Sequence, residues 1–289
     1  LGTAWRAPGF DDSAWAGRNQ ATLVSYWPFD GNATATRGES GTFVGAVTAA
    51  ADRNGEAGGA LAFNGSSQQY VSVPGGGGLN GAAAGTISLW VKWTGTQAGD
   101  CCNTYGAVLA RQGNGLFSDN IIALNNANPA LARVVWRQSG GPAPVLLTGS
   151  TAVGSNWRHL AITFGNNGSA LYMDGALQRT TTGGGALNNN ASVPLSIGAW
   201  APDGAGFATA QIDDVAIWDQ PLTAAQIAQL AAKSKSPLDF DIPESAVYFA
   251  GDGRLTANDE LRRTSLPLGP TTYYFRNTFL FDGDPATTE

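Results

Sequence analysis

Charge, histidine and cysteine are all scarce in this chain of 289 residues, and each shortage removes a class of chemistry. Charged residues make up 13% of it, against about 25% in an ordinary soluble domain. Lysine occurs only at Lys92, Lys233 and Lys235, the formal net charge is −6 and the pI is near 4.7. No basic stripe is left to neutralise phosphates, so nucleic acid and anionic membrane surfaces are poor candidate partners. With one His and two Cys, a His-rich or all-cysteine zinc site cannot be built, and a Ser-His-Asp arrangement would have to spend the single histidine. No run approaches the ~18 apolar residues of a membrane helix, so no membrane insertion is expected. Glutamate is confined to Glu39, Glu56, Glu244, Glu260 and Glu289.

What the chain does have is glycine, 39 residues of it, with nine Trp, twelve Phe and a hydrophobic content of 43%. That is enough apolar material for a sizeable core and excludes wholesale disorder. From Leu23 to Trp218 short alternating runs are separated by turn clusters, the pattern of a sandwich or jelly roll. In Thr86 to Trp93 the residues Ile87, Leu89, Val91 and Trp93 share one face, and Ser88, Trp90 and Lys92 share the other. Asp174-Gly175 predicts a two-residue hairpin of type I′, because that turn needs positive φ at both central residues. One helix stands out after Trp218: Thr223 as N-cap, Gln226 closing a capping box, Leu222 stapled to Ile227, and an end near Lys233. Lys233 to Pro237 reads as a linker.

Five blocks follow one another in order. They are Tyr26-Trp27-Pro28-Phe29-Asp30-Gly31; Ala60 to Gly65 with Tyr70 to Val73; Ile87 to Val91; Asn156-Trp157-Arg158-His159-Leu160-Ala161-Ile162; and Gln211 to Trp218 with the capped helix. Together they resemble a laminin-G-like, concanavalin A-like jelly-roll domain over residues 21–233. The resemblance implies an all-β antiparallel β-sandwich with one short C-terminal helix, one sheet concave, and carbohydrate or protein ligands on that face or its rim. The flanks resemble a different module. The run Trp5 to Trp15 and the run Tyr273 to Phe279 look like parts of a galactose-binding-like β-sandwich, so residues 1–20 and 245–289 are expected to form an incomplete outer module, joined through a linker at 234–244. The chain opens on Leu1-Gly2 and stops at Glu289 within a patterned segment, as a stretch of a longer secreted or cell-surface protein would.

Three candidate sites emerge. Strand alternation sets Trp90, His159, Tyr172 and Trp200 opposite the core-facing residues, and aromatic rings on an open sheet suit the C–H faces of sugars. Each could equally pack under a loop or against the outer module. The second site is the loop Cys101-Cys102 with Tyr105, Asp119 and Asn120. Adjacent cysteines can close a strained ring, since a Cα separation of ~3.8 Å lies below the usual ~4.4–6.8 Å. Such a ring would be a rigid apolar plate for a ligand; the alternative is two reduced thiols. The third site is calcium, for which the resemblance points to Asp30 and Asp213. The adjacent carboxylates Asp213 and Asp214 need something positive between them, and hard oxygen donors suit that ion.

A glycosidase on such a sandwich needs two carboxylates across a cleft. No glutamate falls in a strand pattern, and the Glu-x-Asp-x-x-Glu signature of laminarinase-like glucanases is missing. The expectation is therefore a non-catalytic carbohydrate-binding domain, extracellular and accessory to glycan degradation, with a glycan or polysaccharide as partner. The other expectation is an adhesion or spacer domain that binds other extracellular proteins.

Overall fold

The computed structural model of the chain describes residues 21–95, 105–111, 120–125, 131–136, 145–182, 185–187, 189, 192–200 and 206–240. The chain divides into two compact units, Leu1–Asp241 and Ile242–Glu289, and every described residue lies in the first. The two runs expected to belong to an outer galactose-binding-like module, Trp5 to Trp15 and Tyr273 to Phe279, lie outside the described residues.

The strands, in chain order, are β1 (Leu23–Trp27), β2 (Thr42–Val44), β3 (Thr48–Ala50), β4 (Ala60–Phe63), β5 (Tyr70–Val73), β6 (Gly85–Trp93), β7 (Tyr105–Arg111), β8 (Asn120–Asn125), β9 (Leu131–Trp136), β10 (Val145–Ala152), β11 (Trp157–Gly165), β12 (Gly168–Met173), β13 (Ala176–Thr181), β14 (Leu195–Ile197) and β15 (Ala210–Trp218). They form two antiparallel sheets. The first has the order β13-β12-β11-β6-β15-β4-β3, with β1 beside the second half of β15; the second runs β10-β9-β8-β7-β14-β5-β2. Non-consecutive neighbours such as β6 between β11 and β15 are the crossovers of a jelly roll.

The alternation read from the sequence holds. Ile87, Leu89, Val91, Leu160, Ile162, Phe164, Leu171, Met173, Leu195 and Ile197 all sit in one buried cluster between the sheets. The hairpin between β12 and β13 turns on Asp174 (φ 51°) and Gly175 (φ 79°), both left-handed as a type I′ turn requires. The Asp174 side chain adds its own bonds, accepting from the His159 backbone N–H at 3.0 Å and from Arg158 Nη1 at 2.6 Å.

The helix α1 spans Ala224–Ala231, two residues short of the expected end, because the chain leaves the helical path and Lys233 adopts φ 57°. Its capping box is present: the Thr223 backbone N–H donates to Gln226 Oε1 at 2.8 Å, and Gln226 N–H donates to Thr223 Oγ1 at 3.2 Å. Ile227 and Leu230 are buried with Leu23, Tyr26, Ala161, Ala216, Trp218 and Leu222 in a second apolar cluster on the outer side of the first sheet. The first sheet is therefore covered on both sides over this stretch, which decides the fate of the residues on its outer face.

Candidate functional site

The chemistry-bearing residues of the first sheet gather around an irregularity in β15. Asp213 pairs with Trp90 and Ala216 with Ser88, so β15 spends one more residue than β6 between those points, a β-bulge. Asp214 takes φ 50° there. A regular strand would send adjacent side chains to opposite faces; the bulge lets both carboxylates reach one guanidinium. Arg53, from the loop before β4, donates through Nη1 to Asp213 Oδ2 at 2.5 Å and reaches Asp214 Oδ2 through Nη2 at 2.6 Å. The remaining Asp214 oxygen accepts from the Tyr26 hydroxyl at 2.5 Å.

Cations and rings pack around this core. Arg53 lies 5.3 Å and Lys233 Nζ 5.6 Å from the centre of the Trp90 ring, distances at which a cation is drawn to the aromatic face. Lys233 also donates to Asn54 Oδ1 at 3.0 Å, tying the end of α1 to the loop that carries Arg53. The Trp90 ring packs at 5.2 Å against His159, whose Nε2 bonds Ser88 Oγ at 2.8 Å. Burial pushes His159 down to about 4, so its ring is neutral at pH 7. Burial and the neighbouring Asp214 carboxylate push Asp213 up to about 7, with Arg53 pulling the other way. Burial likewise raises Asp214 and Tyr26. The two carboxylates and the guanidinium are spent on one another, while Arg53 Nε and His159 Nδ1 are buried with no hydrogen-bond partner among the described residues.

Three sequence-based expectations change on this evidence. Trp90 and His159 lie on the outer face, as alternation requires, but they are 8% and 1% exposed; period-two patterning assigns a face without saying what covers it. Tyr172 is half-buried against the second apolar cluster. The positive charge between Asp213 and Asp214 is the Arg53 guanidinium. Asp30 is exposed, and among the described residues no three His, Cys, Asp or Glu side chains gather as a cation site needs. Asp213 is thus already engaged by a guanidinium, and Asp30 is not part of that pairing. Arg53 itself carried no sequence signal beyond the need for a counter-charge.

The remaining expected residues belong to the second sheet. Tyr105 opens β7 and Asn120 opens β8, where Asn120 pairs with Arg111 on one side and Trp136 on the other. Cys101, Cys102 and Asp119 lie outside the described residues. Trp200 lies three residues past the end of β14 and is half-buried. Its indole Nε1 is buried and has no hydrogen-bond partner among the described residues. Beside it, Ala199 and Phe207 form a small buried cluster with Tyr70. The Phe207 segment is laced between β7 and the end of β14 by main-chain bonds, Ala107 N–H to Gly206 O and Ala208 N–H to Gly198 O, each 2.8 Å. Those bonds set the Phe207 ring against Tyr70 at 6.4 Å and a 41° tilt. Aromatic character at this end of the sandwich therefore comes from three separate loops and strands, and only Trp200 of the three was singled out by the sequence.

A family model described as the concanavalin A-like lectin/glucanases superfamily matches residues 64–228, more than half of the chain. The chain belongs to this superfamily. Among solved structures, domain 4 of AbnA, a GH43 extracellular arabinanase from Geobacillus stearothermophilus in complex with arabinotriose, superposes with a TM-score of 0.55 at 20% identity, covering 74% of this chain and 100% of that one. The binding domain of Paraclostridial Mosquitocidal Protein 1 gives 0.55 at 16% identity, covering 74% of this chain and 52% of its own. The binding domain of botulinum neurotoxin DC in complex with SialylT gives 0.55 at 15%, covering 75% and 52%. The chain thus spans about half the length of the toxin domains and all of the arabinanase domain. At these identities the likeness is one of fold. No curated protein sequence matches the chain.

Proposed function

We propose that this domain is a non-catalytic carbohydrate-binding module that holds a glycan or polysaccharide at the Tyr70, Phe207 and Trp200 end of the second sheet. The observation that carries the reading is the Trp200 indole: a half-buried ring whose Nε1 has no hydrogen-bond partner among the described residues. The exposed part of the ring can take the C–H face of a sugar, and a ligand that turns the ring enough to uncover Nε1 would also offset the roughly 1–3 kcal/mol that a buried unpaired donor costs. The glycan ligands of the arabinanase domain and of the neurotoxin domain support the class of ligand without identifying it. Catalysis has no part in the reading, since the carboxylate pair Asp213 and Asp214 is held by Arg53 and Tyr26 and is not free to act as acid and base.

The module would serve a larger secreted or cell-surface protein, accessory to its action on glycans, with residues 1–20 and 245–289 contributing to an outer galactose-binding-like module. The loop of Cys101 and Cys102 would extend the binding surface. A glycan array probed with the whole chain, once with calcium and once with chelator, tests this reading. Binding to at least one glycan is expected in both conditions; an array blank in both would leave the adhesion or spacer role.

A further inference from the structure

A separate cleft opens at the far side of the first sheet, where the hairpin between β11 and β12 turns. Its volume is about 440 Å³, inside the ~300–1,000 Å³ range of small-molecule sites. The floor is set by sheet register: Thr163 on β11 pairs with Ala170 on β12, which pairs with Thr180 on β13. Directly opposed residues share a face with Cβ atoms roughly 5 Å apart, so the floor is a flat row of small side chains flanked by hydroxyls.

Both walls are fixed. One is the tight turn Asn166-Asn167, closed by Gly165 pairing with Gly168. Gly168 has φ 112°, and a Cβ there would meet the Thr181 carbonyl oxygen at 2.0 Å, so no other residue can close this turn in place. The other wall is Gln220-Pro221, pinned to the sheet because Thr86 Oγ1 donates to the Gln220 carbonyl at 2.9 Å and accepts from Leu222 N–H at 2.7 Å.

The chemistry of the lining is uniform. It consists of threonine and serine hydroxyls, asparagine and glutamine amides, small apolar groups and main chain, with no charged side chain. Such a set offers donors and acceptors in equal measure and no counter-charge, which suits a neutral polyhydroxylated molecule and disfavours phosphates, carboxylates and cations. We propose that this cleft is a second binding site, for an uncharged sugar unit, independent of the aromatic site. With one site on each sheet, the domain would hold one polysaccharide at two points or two chains at once, raising avidity without any new contact.

The test is amide chemical-shift mapping of the whole chain titrated with neutral arabino-, xylo-, gluco- and galacto-oligosaccharides, for the wild type, Trp200→Ala and Thr180→Trp. Thr180 is the exposed edge-strand end of the floor, so the larger ring fills the cleft without entering the core. Saturable shifts of the Gly165 and Gly168 backbone amides and the Asn166 and Asn167 side-chain amides are expected with at least one oligosaccharide. They should persist in Trp200→Ala and disappear in Thr180→Trp. No saturable shift at these groups with any sugar, or shifts that survive Thr180→Trp, would overturn the second site. Loss of the shifts in Trp200→Ala would overturn its independence. Shifts confined to Tyr70, Phe207 and Trp200 would overturn this proposal and leave the aromatic site standing.

Discussion

Replacing Arg53 with methionine isolates what the buried charge cluster contributes. The change keeps most of the aliphatic stem and removes the guanidinium that serves two carboxylates, at 2.5 Å and 2.6 Å. Those side chains are 2% and 11% exposed, so neither can recover its lost partner from bulk water. Breaking a buried ion pair from one side costs about 3–5 kcal/mol, and the lost contact with the Trp90 face adds roughly 0.5–1 kcal/mol. The cost depends on pH in a defined direction. Asp213 already stands at about 7 with Arg53 in place, and removing the guanidinium raises both carboxylates further. An acid with a raised folded pKa binds protons more tightly when folded, so stability falls as pH rises through the window from about 4 upward. The Arg53→Met loss should therefore be largest near pH 8 and smaller near pH 5, where the carboxylates take up protons. Urea unfolding followed by tryptophan fluorescence measures it. Adding Asp213→Asn and Asp214→Asn to Arg53→Met should restore most of the stability. A loss below about 1 kcal/mol at pH 8, or an equal loss at pH 5 and pH 8, would refute the account of this cluster as a buried, mutually dependent network.

Other perturbations have equally definite outcomes. His159, pushed down to about 4, resists protonation in the folded state, so its contribution to stability is lost as pH falls from 6.5 toward 4. Asp213 acts in the opposite sense across much of that window, at a limiting slope of about 1.4 kcal/mol per pH unit for each group. His159→Asn should thus unmask stability that increases as pH falls from 6.5 to 4, read from urea midpoints; a variant whose pH profile parallels the wild type would count against a neutral buried histidine. Thr223→Ala removes the hydroxyl that accepts from Gln226 N–H, leaving the Thr223 N–H to Gln226 Oε1 half of the capping box in place, and should cost about 1 kcal/mol, seen as a lowered unfolding midpoint, with Thr223→Ser recovering most of it.

The fold was legible wherever the signal was local. The capping box needs only Thr223 and Gln226, the hairpin only Asp174 and Gly175, and the inward faces of β6 and β11 only their alternation. What stayed hidden depends on contacts between distant segments. Arg53 meets Asp213 across 160 positions, and the bulge that aims Asp213 and Asp214 the same way leaves no mark in a strand of otherwise regular alternation. Trp90 and His159 were assigned to the correct face but to the wrong side of the solvent boundary, because α1 and the Arg53 loop lie over them. The aromatic end was visible only through Trp200, since the pairing of β5 with β14 and the bridge between Ala107 and Phe207 bring Tyr70 and Phe207 to the same end of the sheet. The polar cleft falls on residues that read as ordinary turn and edge-strand sequence, and sheet register alone brings them together.

The central claim is that Trp200 and Tyr70 hold a glycan. Affinity electrophoresis of the wild type beside Trp200→Ala and Tyr70→Ala, in gels containing the polysaccharides that score on the array, tests it most directly. The wild type should be retarded. Each variant should migrate at least tenfold less retarded by apparent dissociation constant, a difference of about 1.4 kcal/mol, measured under conditions where its own unfolding curve shows it fully folded. Equal retardation of all three proteins, or none of any on every polysaccharide, would contradict it.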